Sequence, residues 1–313
     1  MQTIATLTMN PTIDKSSSVE QVIPGRKLRC KPPRHEPGGG GINVSRAIHR
    51  LGGQSVALYT AGGATGQMLQ DLLGGEGVIN HRPIVIEELT RQNLTVLEES
   101  SRQQFRFGMP GPVLQDAEWQ RCLDELAILE PKTGYIVASG SLPSGVPDDF
   151  YARVASLAKE MGSRIIVDTS EEPLRLAARE GVYLLKPNLR ELRQLAGRDL
   201  EDEAQQVAAA KEIVDTGQSE VVIVSLGAAG ALLVSSAGHK RLRSPTVPIR
   251  SRVGAGDSML AGIALALARG ASLSDAARFG VAAGAAAVMT PGTELCRQED
   301  VEQLYESSFN AHE

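Results

Sequence analysis

The 313-residue sequence predicts a three-layer αβα fold on a mostly parallel central sheet, with a small β-sheet lid beside it. Three observations carry that expectation. Short Val- and Ile-rich segments, apolar on both faces, alternate with helical ones along the C-terminal two-thirds, the rhythm of βαβ units whose strands lie inside a parallel sheet. The apolar mass is Ala, Leu, Val and Ile with aromatics at only 4%, which suits α/β layers better than a β-sandwich. Two segments, Asp14 to Pro37 and Leu89 to Gly108, break the rhythm and read as excursions that pair into the lid.

Taken in order, the chain opens on a strand-like run from Ala5 to Met9 with no basic region or signal-length apolar run before it, so the compartment expected is the cytoplasm. A glycine run, Gly38 to Gly41, then leads into a helix through Arg46 to Leu51. Within the second excursion, Asn93–Glu98 and Gln103–Phe107 alternate in polarity around Glu99-Ser100-Ser101-Arg102, the pattern of a hairpin. Strands are expected at Tyr135–Ser139, Arg164–Asp168, Tyr183–Lys186, Val221–Ser225 and Ala231–Val234. Helices are expected near Asp148–Met161, Leu189–Leu195 and Asp202–Thr216, and two Ala-rich ones at Gly256–Arg269 and Leu273–Met289. Neither a repeat nor a low-complexity linker marks a second unit, so one domain over 1–313 is expected, with the lid drawn from about 12–37 and 88–110.

Composition narrows the partners. A net charge of −5 gives no reason to expect nucleic acid or an acidic membrane surface, and no apolar run is long enough to span a bilayer. An anionic ligand must therefore be held by local Lys, Arg and helix N-termini. Cys30, Cys122 and Cys296 lie far apart without metal-ligand spacing and read as reduced thiols.

Two glycine-rich helix starts carry the chemistry. In Val253-Gly254-Ala255-Gly256-Asp257-Ser258 the glycines allow a tight turn that leaves backbone N–H groups facing a ligand, and the helix end adds partial positive charge. Asp257 in that first turn can orient a hydroxyl and accept its proton, with a pKa the helix dipole should hold low. Alone, the segment reads equally as an ordinary Gly-rich helix start. A dinucleotide fingerprint is disfavoured because Met259 stands where its third glycine belongs. In Pro37-Gly38-Gly39-Gly40-Gly41-Ile42-Asn43 the missing side chains let a ligand sit against the main chain, and Asn43 can donate and accept; a ligand-free flexible loop is the rival. Two such loops suit a kinase with separate acceptor and nucleotide sites.

Gly39-Gly40-Gly41-Ile42-Asn43 and Gly254-Ala255-Gly256-Asp257 resemble the two signatures of the PfkB (ribokinase-like) carbohydrate kinase family. Between them, Asn188-Leu189-Arg190-Glu191 is similar to its N-x-x-E element and Ser225-Leu226-Gly227-Ala228-Ala229-Gly230 to its nucleotide loop, in the family's order over essentially the whole chain. The resemblance implies ATP and Mg²⁺, with Asp257 as the catalytic base and the N–H groups of Gly254, Ala255 and Gly256 as the anion hole. It implies that Asn188 and Glu191 organise the Mg²⁺, and that Lys186, Asn188, Ser225, Gly227 and Gly230 line the nucleotide. Asp14 and the loop Gly39, Gly40, Gly41 and Asn43 would grip the sugar, with Ser141 of Ser139-Gly140-Ser141-Leu142 beside it. Backbone carbonyls of Ser251 and Val253 would hold K⁺, although Arg252 departs from the family's pattern there and its guanidinium could replace the ion.

The substrate follows from the lid. Arg91 in Thr90-Arg91-Gln92-Asn93 resembles the element that contacts phosphate in members acting on sugar phosphates, and Lys27 and Arg29 are further basic candidates. Taken alone, Arg91 reads as an edge-strand charge that blocks strand addition. The stretches Gly25–Asn43, Ala61–Gly66, Ser139–Val146 and Arg278–Ala287 look most like the bacterial branch acting on fructose 6-phosphate, and Gly40 stands where relatives acting on fructose 1-phosphate tend to have lysine. Tagatose 6-phosphate or fructose 1-phosphate as acceptor, an inactive sugar-phosphate-binding regulator, and more distantly a nicotinamide oxidoreductase stay open. The likeness also implies a homodimer through the lid.

Overall fold

The computed structural model describes residues 2–78, 80–129 and 133–310; the remaining positions of the expected 1–313 domain lie outside them. The strands are β1 (Thr3–Thr8), β2 (Thr12–Val19), β3 (Arg34–Gly38), β4 (Val56–Ala61), β5 (His81–Val85), β6 (Arg91–Glu98), β7 (Gln104–Phe107), β8 (Thr133–Ser139), β9 (Arg164–Asp168), β10 (Val182–Leu185), β11 (Ser219–Ser225), β12 (Ala231–Ser235) and β13 (Gly238–Leu242). The helices are α1 (Gly40–Arg50), α2 (Gly63–Gly75), α3 (Asp116–Ala127), α4 (Phe150–Met161), α5 (Glu171–Glu180), α6 (Leu189–Ala196), α7 (Glu203–Asp215), α8 (Ala255–Ala268), α9 (Leu273–Val288) and α10 (Gln298–Tyr305).

Nine strands form the central sheet in the order β13-β12-β11-β10-β9-β8-β1-β4-β5. From β11 to β5 every pairing is parallel, and β12 and β13 add an antiparallel edge. Successive side chains of a strand point to opposite faces, and each face meets its own helical layer. Tyr135 and Val137 of β8 join the core that contains α1, α8 and α9, while Ile136 and Ala138 join the one that contains α3, α4 and α5. This is the expected three-layer fold. Ala and Gly let α8 and α9 pack closely: a Cβ on Gly280 would come within 2.4 Å of Ile263 Cγ1.

The two irregular excursions form a second sheet, β3-β2-β6-β7. Their pairing is mixed, since β2 runs antiparallel to β3 but parallel to β6. The expected hairpin is there, and its turn residue Arg102 adopts a φ of 61°, the left-handed region a tight turn demands. Residues 20–33 carry no strand, so the first excursion contributes only its two ends. Strands β2 and β3, expected only as an excursion without strand bounds, and strands β4, β5 and β13 and helices α2, α3, α5 and α10 were not among the expected elements.

Candidate active site

The parallel strands end along one edge, and the candidate residues gather there. Ser139, Asp168 and Ser225 are the last residues of β8, β9 and β11, and Lys186 directly follows β10. Chain reversal at the carboxyl ends of parallel strands opens a crevice, which is where ligands of such sheets lodge. Both glycine loops open onto this edge as the starts of α1 and α8, helices on the same face of the sheet.

The first loop is glycine-rich for lack of room. A Cβ on Gly38 would fall 2.3 Å from Asp14 Oδ2, and one on Gly40 would fall 2.4 Å from Ser139 Oγ and 2.8 Å from the Gly140 nitrogen. One on Gly41 would meet the Leu7 carbonyl oxygen at 2.6 Å. The main chain of this loop is thereby pressed onto the ends of β1 and β8. Asp14 is no loose turn acid but a residue of β2, accepting a hydrogen bond from Asn93 Nδ2 at 3.2 Å. Burial raises its pKa, and Asn93, Arg46 and Arg91 pull the other way.

The second loop turns at Gly254, whose φ of 76° places it in the left-handed region. Helix α8 starts at the next residue, with Asp257 in its first turn. Asn43 Nδ2 donates to Asp257 Oδ2 at 2.8 Å, joining the two loops directly. The expectation of a low Asp257 pKa is overturned. Burial, then the nearby charge of Asp168, push the carboxyl up to about 6 against the pull of Asn43 and Lys186. Loss of water around the ionised form outweighs the helix-end field.

Around Asp257 lies a charge cluster of which the sequence reading saw only part. Lys186 is buried and its Nζ lies 3.1 Å from Asp168 Oδ2. Burial alone would lower the lysine's pKa, but the Asp168 carboxylate more than offsets that and holds it above its usual value. Burial raises the pKa of Asp168 against the same lysine. Asp168 was missed as a site residue, though a charge ending the apolar run Arg164-Ile165-Ile166-Val167 was a visible signal. Asn188 and Glu191 form a capping box at the start of α6. Asn188 Oδ1 accepts from the Glu191 nitrogen at 3.0 Å, and Glu191 Oε2 accepts from the Asn188 nitrogen at 2.8 Å. These bonds fix both side chains and leave Glu191 Oε1 without a protein donor among the described residues.

On the far side of α8 a cavity of about 540 Å³ is lined by Ser225, Gly227, Gly230, Ile249, Ala255 and Gly256, among others, so five expected nucleotide or anion-hole residues share it. Its size is that of a small-molecule site. Gly230 must be glycine, because its φ is 91° and a Cβ would stand 2.0 Å from the Leu242 carbonyl oxygen. Arg252 is exposed and also lines this cavity. The Ser251 hydroxyl donates to the Gly292 carbonyl oxygen at 2.6 Å and accepts from the Val253 nitrogen at 3.2 Å, tying the loop before α8 to the one after α9.

The basic residues of the small sheet do not all reach this site. Arg91 lies at its near end, where Nη2, Nη1 and Nε donate to the carbonyl oxygens of Asn10 (3.0 Å), Met109 (3.2 Å) and Pro11 (3.4 Å). These carbonyls hold the guanidinium in place rather than leaving it a free edge charge. Asn10 Nδ2 in turn donates to Ser141 Oγ at 3.1 Å, so Arg91, Asn10 and Ser141 form one polar cluster. Lys27 and Arg29 are exposed at the opposite end, beyond Val19, since the Lys31 nitrogen bonds back to the Ser18 carbonyl oxygen. Val19 lies roughly 17 Å along the strand from Asp14. Within one chain, Lys27 and Arg29 are therefore not part of the cluster.

Among the described residues no helix is long and apolar enough to cross a membrane, and all three cysteines are free. No group of three or more His, Cys, Asp or Glu able to hold a metal ion occurs among them.

Comparison with known proteins gives the arrangement a family. The chain is 48% identical over 303 residues to an ATP-dependent 6-phosphofructokinase isozyme 2 of Mycobacterium tuberculosis, covering 97% of this chain and 89% of that one. It is 45% identical over 310 residues to the isozyme 2 enzyme of Escherichia coli, covering 97% and 98%. A 1-phosphofructokinase of Xanthomonas campestris is 36% identical over 84% of this chain and 83% of its own. The structure of phosphofructokinase-2 from Escherichia coli in complex with fructose-6-phosphate superposes with a TM-score of 0.93 at 42% identity, covering 98% and 99%. The same enzyme in complex with potassium gives 0.94 at 44% identity over the same shares. The family model of pfkB family carbohydrate kinases matches residues 6–300, and with both glycine loops on one sheet edge the chain belongs to that family.

Proposed function

We propose that the chain transfers the γ-phosphoryl group of ATP to the 1-hydroxyl of fructose 6-phosphate, giving fructose 1,6-bisphosphate and ADP, in the cytoplasm. The observation that carries this is the 2.8 Å bond from Asn43 to Asp257, which sets the sugar-side loop against the start of α8. In this reading Asp257 accepts the proton of the attacking hydroxyl. With a pKa of about 6 it is ionised at pH 7 yet basic enough to take that proton as the new bond forms. The N–H groups of Gly254, Ala255 and Gly256 face the transferring phosphoryl group at the helix end. Lys186, Asn188, Ser225, Gly227 and Gly230 hold the nucleotide, the first with a charge kept positive by Asp168.

Mg²⁺, when bound, neutralises charge on the nucleotide phosphates. The half-buried Asp168 carboxylate, the buried Glu191 carboxylate and the Asn188 amide are hard oxygen donors suited to that ion or its waters, with Glu191 Oε1 available. Carbonyls of Ser251 and Val253, on the loop fastened to Gly292, are the site assigned to K⁺. Raised turnover in KCl over equal NaCl supports that assignment, and equal rates remove it.

On the acceptor side Asp14, Gly39, Gly40, Gly41 and Asn43 grip the sugar, and Arg91 with Ser141 takes its phosphate. Arg91 keeps two N–H groups beyond its three carbonyl bonds, enough for the forked contact a phosphate favours. A role for Lys27 and Arg29 there requires the lid of a second copy, which is why the reading includes a homodimer paired through this sheet. ADP release measured with MgATP and fructose 6-phosphate, fructose 1-phosphate, tagatose 6-phosphate, fructose and ribose tests the substrate. Turnover fastest on fructose 6-phosphate supports the reading. Preference for another phosphorylated ketose corrects the acceptor, and turnover on none leaves a sugar-phosphate-binding regulator.

A further inference from the structure

One arginine of α1 is used by none of the roles above, yet it is the most deeply committed charge near the site. Arg46 is 1% exposed. Its Nε donates to Glu76 Oε2 at 2.8 Å and its Nη2 to Glu76 Oε1 at 2.6 Å, a two-pronged pair. Its Nη1 donates to the Pro37 carbonyl oxygen at 2.6 Å and to Asn43 Oδ1 at 3.1 Å. A guanidinium has no acceptor, so only the oxygen of the Asn43 amide can face it. The amide nitrogen must then point the other way, where Asp257 Oδ2 receives it.

We infer that Arg46, anchored by Glu76, is a positioning residue that fixes the orientation of the Asn43 amide and so keeps a donor on Asp257. The inference rests on Asp257 being the base of the proposed reaction. Without the anchor the amide can turn over and set its oxygen against the carboxylate, which repels the ionised form. The charges facing Asp257 are Asp168 from β9, Lys186 after β10 and Asp14 from β2. Those facing the anchor are Glu36 of β3, 4.0 Å from Arg46, Arg50 of α1, 3.7 Å from Glu76, and His49. Burial disfavours the Glu76 carboxylate, but Arg46 and Arg50 more than offset this and hold its pKa below the usual range. The anchor therefore stays charged while Asp257 titrates.

The test is the pH dependence of kcat for Glu76→Gln, Glu76→Asp and Arg46→Lys with saturating MgATP and fructose 6-phosphate. Folding is checked by thermal unfolding. The acidic limb of Glu76→Gln is expected to move up by about one pH unit, the weight of a hydrogen bond to a charged group. Its kcat falls by about twofold at pH 7 and by about tenfold at pH 5, while KM for ATP stays within about twofold. Glu76→Asp restores part of the shift. Glu76 is half-buried at a helix end, so its variants carry the test even where Arg46→Lys does not fold. An active wild type with an unmoved limb in folded Glu76→Gln, or a loss confined to KM, overturns the role of Arg46 alone. A wild type inactive on every sugar phosphate instead sinks the reaction on which the inference rests.

Discussion

At the scale of single residues the site is a set of charges kept from water and balanced against one another. Asp257 is pushed up to about 6 because burial and Asp168 outweigh Asn43 and Lys186. In the proposed reaction the base works ionised, so kcat should decline as pH falls through about 6 and level off above it, and a pH profile of kcat checks this. The same shift has a sign for stability. A carboxyl whose pKa is raised on folding favours the folded state below the unfolded pKa, and that contribution is lost as pH rises through the folded one. Asp257→Asn, which never ionises, should therefore unfold a few degrees higher than wild type at pH 8 and lose this advantage near pH 4. A scan of thermal unfolding against pH reads both ends. The glycine signatures made Asp257 and Asn43 legible in the sequence. Arg46 was not, because a charge in Asn43-Val44-Ser45-Arg46-Ala47-Ile48 reads as a solvated helix face until Glu76, from a distant turn, is placed over it. Arg91 was found, but its bonds to the carbonyls of Asn10, Pro11 and Met109 depend on a fold that no local pattern encodes.

At the scale of elements, helix starts position the chemistry. The capping box of Asn188 and Glu191 sets the first turn of α6 two residues beyond Lys186. Asn188→Ala should cost about 1 kcal/mol of stability by loss of the cap, measurable by denaturant unfolding, and should raise KM for MgATP more than KM for the sugar. The start of α1 behaves oppositely. A methyl at Gly40 would meet Ser139 Oγ and the Gly140 nitrogen, so Gly40→Ala must displace the loop that the proposed reaction sets under the sugar. Steady-state kinetics should show KM for fructose 6-phosphate raised at least about tenfold with KM for ATP little changed. The same crowding means a lysine at this position needs a different local backbone. Strands β8 to β12 were legible because strands buried on both faces form continuous apolar runs. Strands β5 (His81-Arg82-Pro83-Ile84-Val85) and β13 (Gly238-His239-Lys240-Arg241-Leu242) stand at the two edges of the sheet, where polar residues and proline are tolerated and the apolar signal fades. Strands β2 and β3 eluded the pattern for a related reason, as Lys15-Ser16-Ser17-Ser18 pairs through its backbone with side chains mostly half-buried.

At the scale of the whole molecule the small sheet stands beside the large one with its near end at the site and its far end outside. Thr12, Asp14, Gly38 and Arg91 belong to the near end, while Lys27 and Arg29 stand on the loop beyond the other. Phe107 and Met109, exposed by 48% and 45%, leave apolar surface at the β7 edge, where the proposed homodimer would place the second copy. Sedimentation velocity at micromolar concentration should give a dimer, and a monomer at every concentration would remove the role assigned to Lys27 and Arg29. The three layers were visible in the sequence as alternating strand and helix segments, and the two glycine loops as glycine-rich motifs before helices. Which end of the small sheet faces the site was not, because it follows from β2 pairing in parallel with β6.

In the proposed reaction Asp257 takes the proton from a sugar-phosphate hydroxyl. This role is tested most directly by ADP release from MgATP and fructose 6-phosphate in wild type and Asp257→Asn, with thermal shift reporting ligand binding in both. The expected result is turnover in the wild type, reduced about 10²- to 10⁴-fold in the variant, with both still stabilised by fructose 6-phosphate and MgATP. Equal turnover in a folded Asp257→Asn would contradict the account.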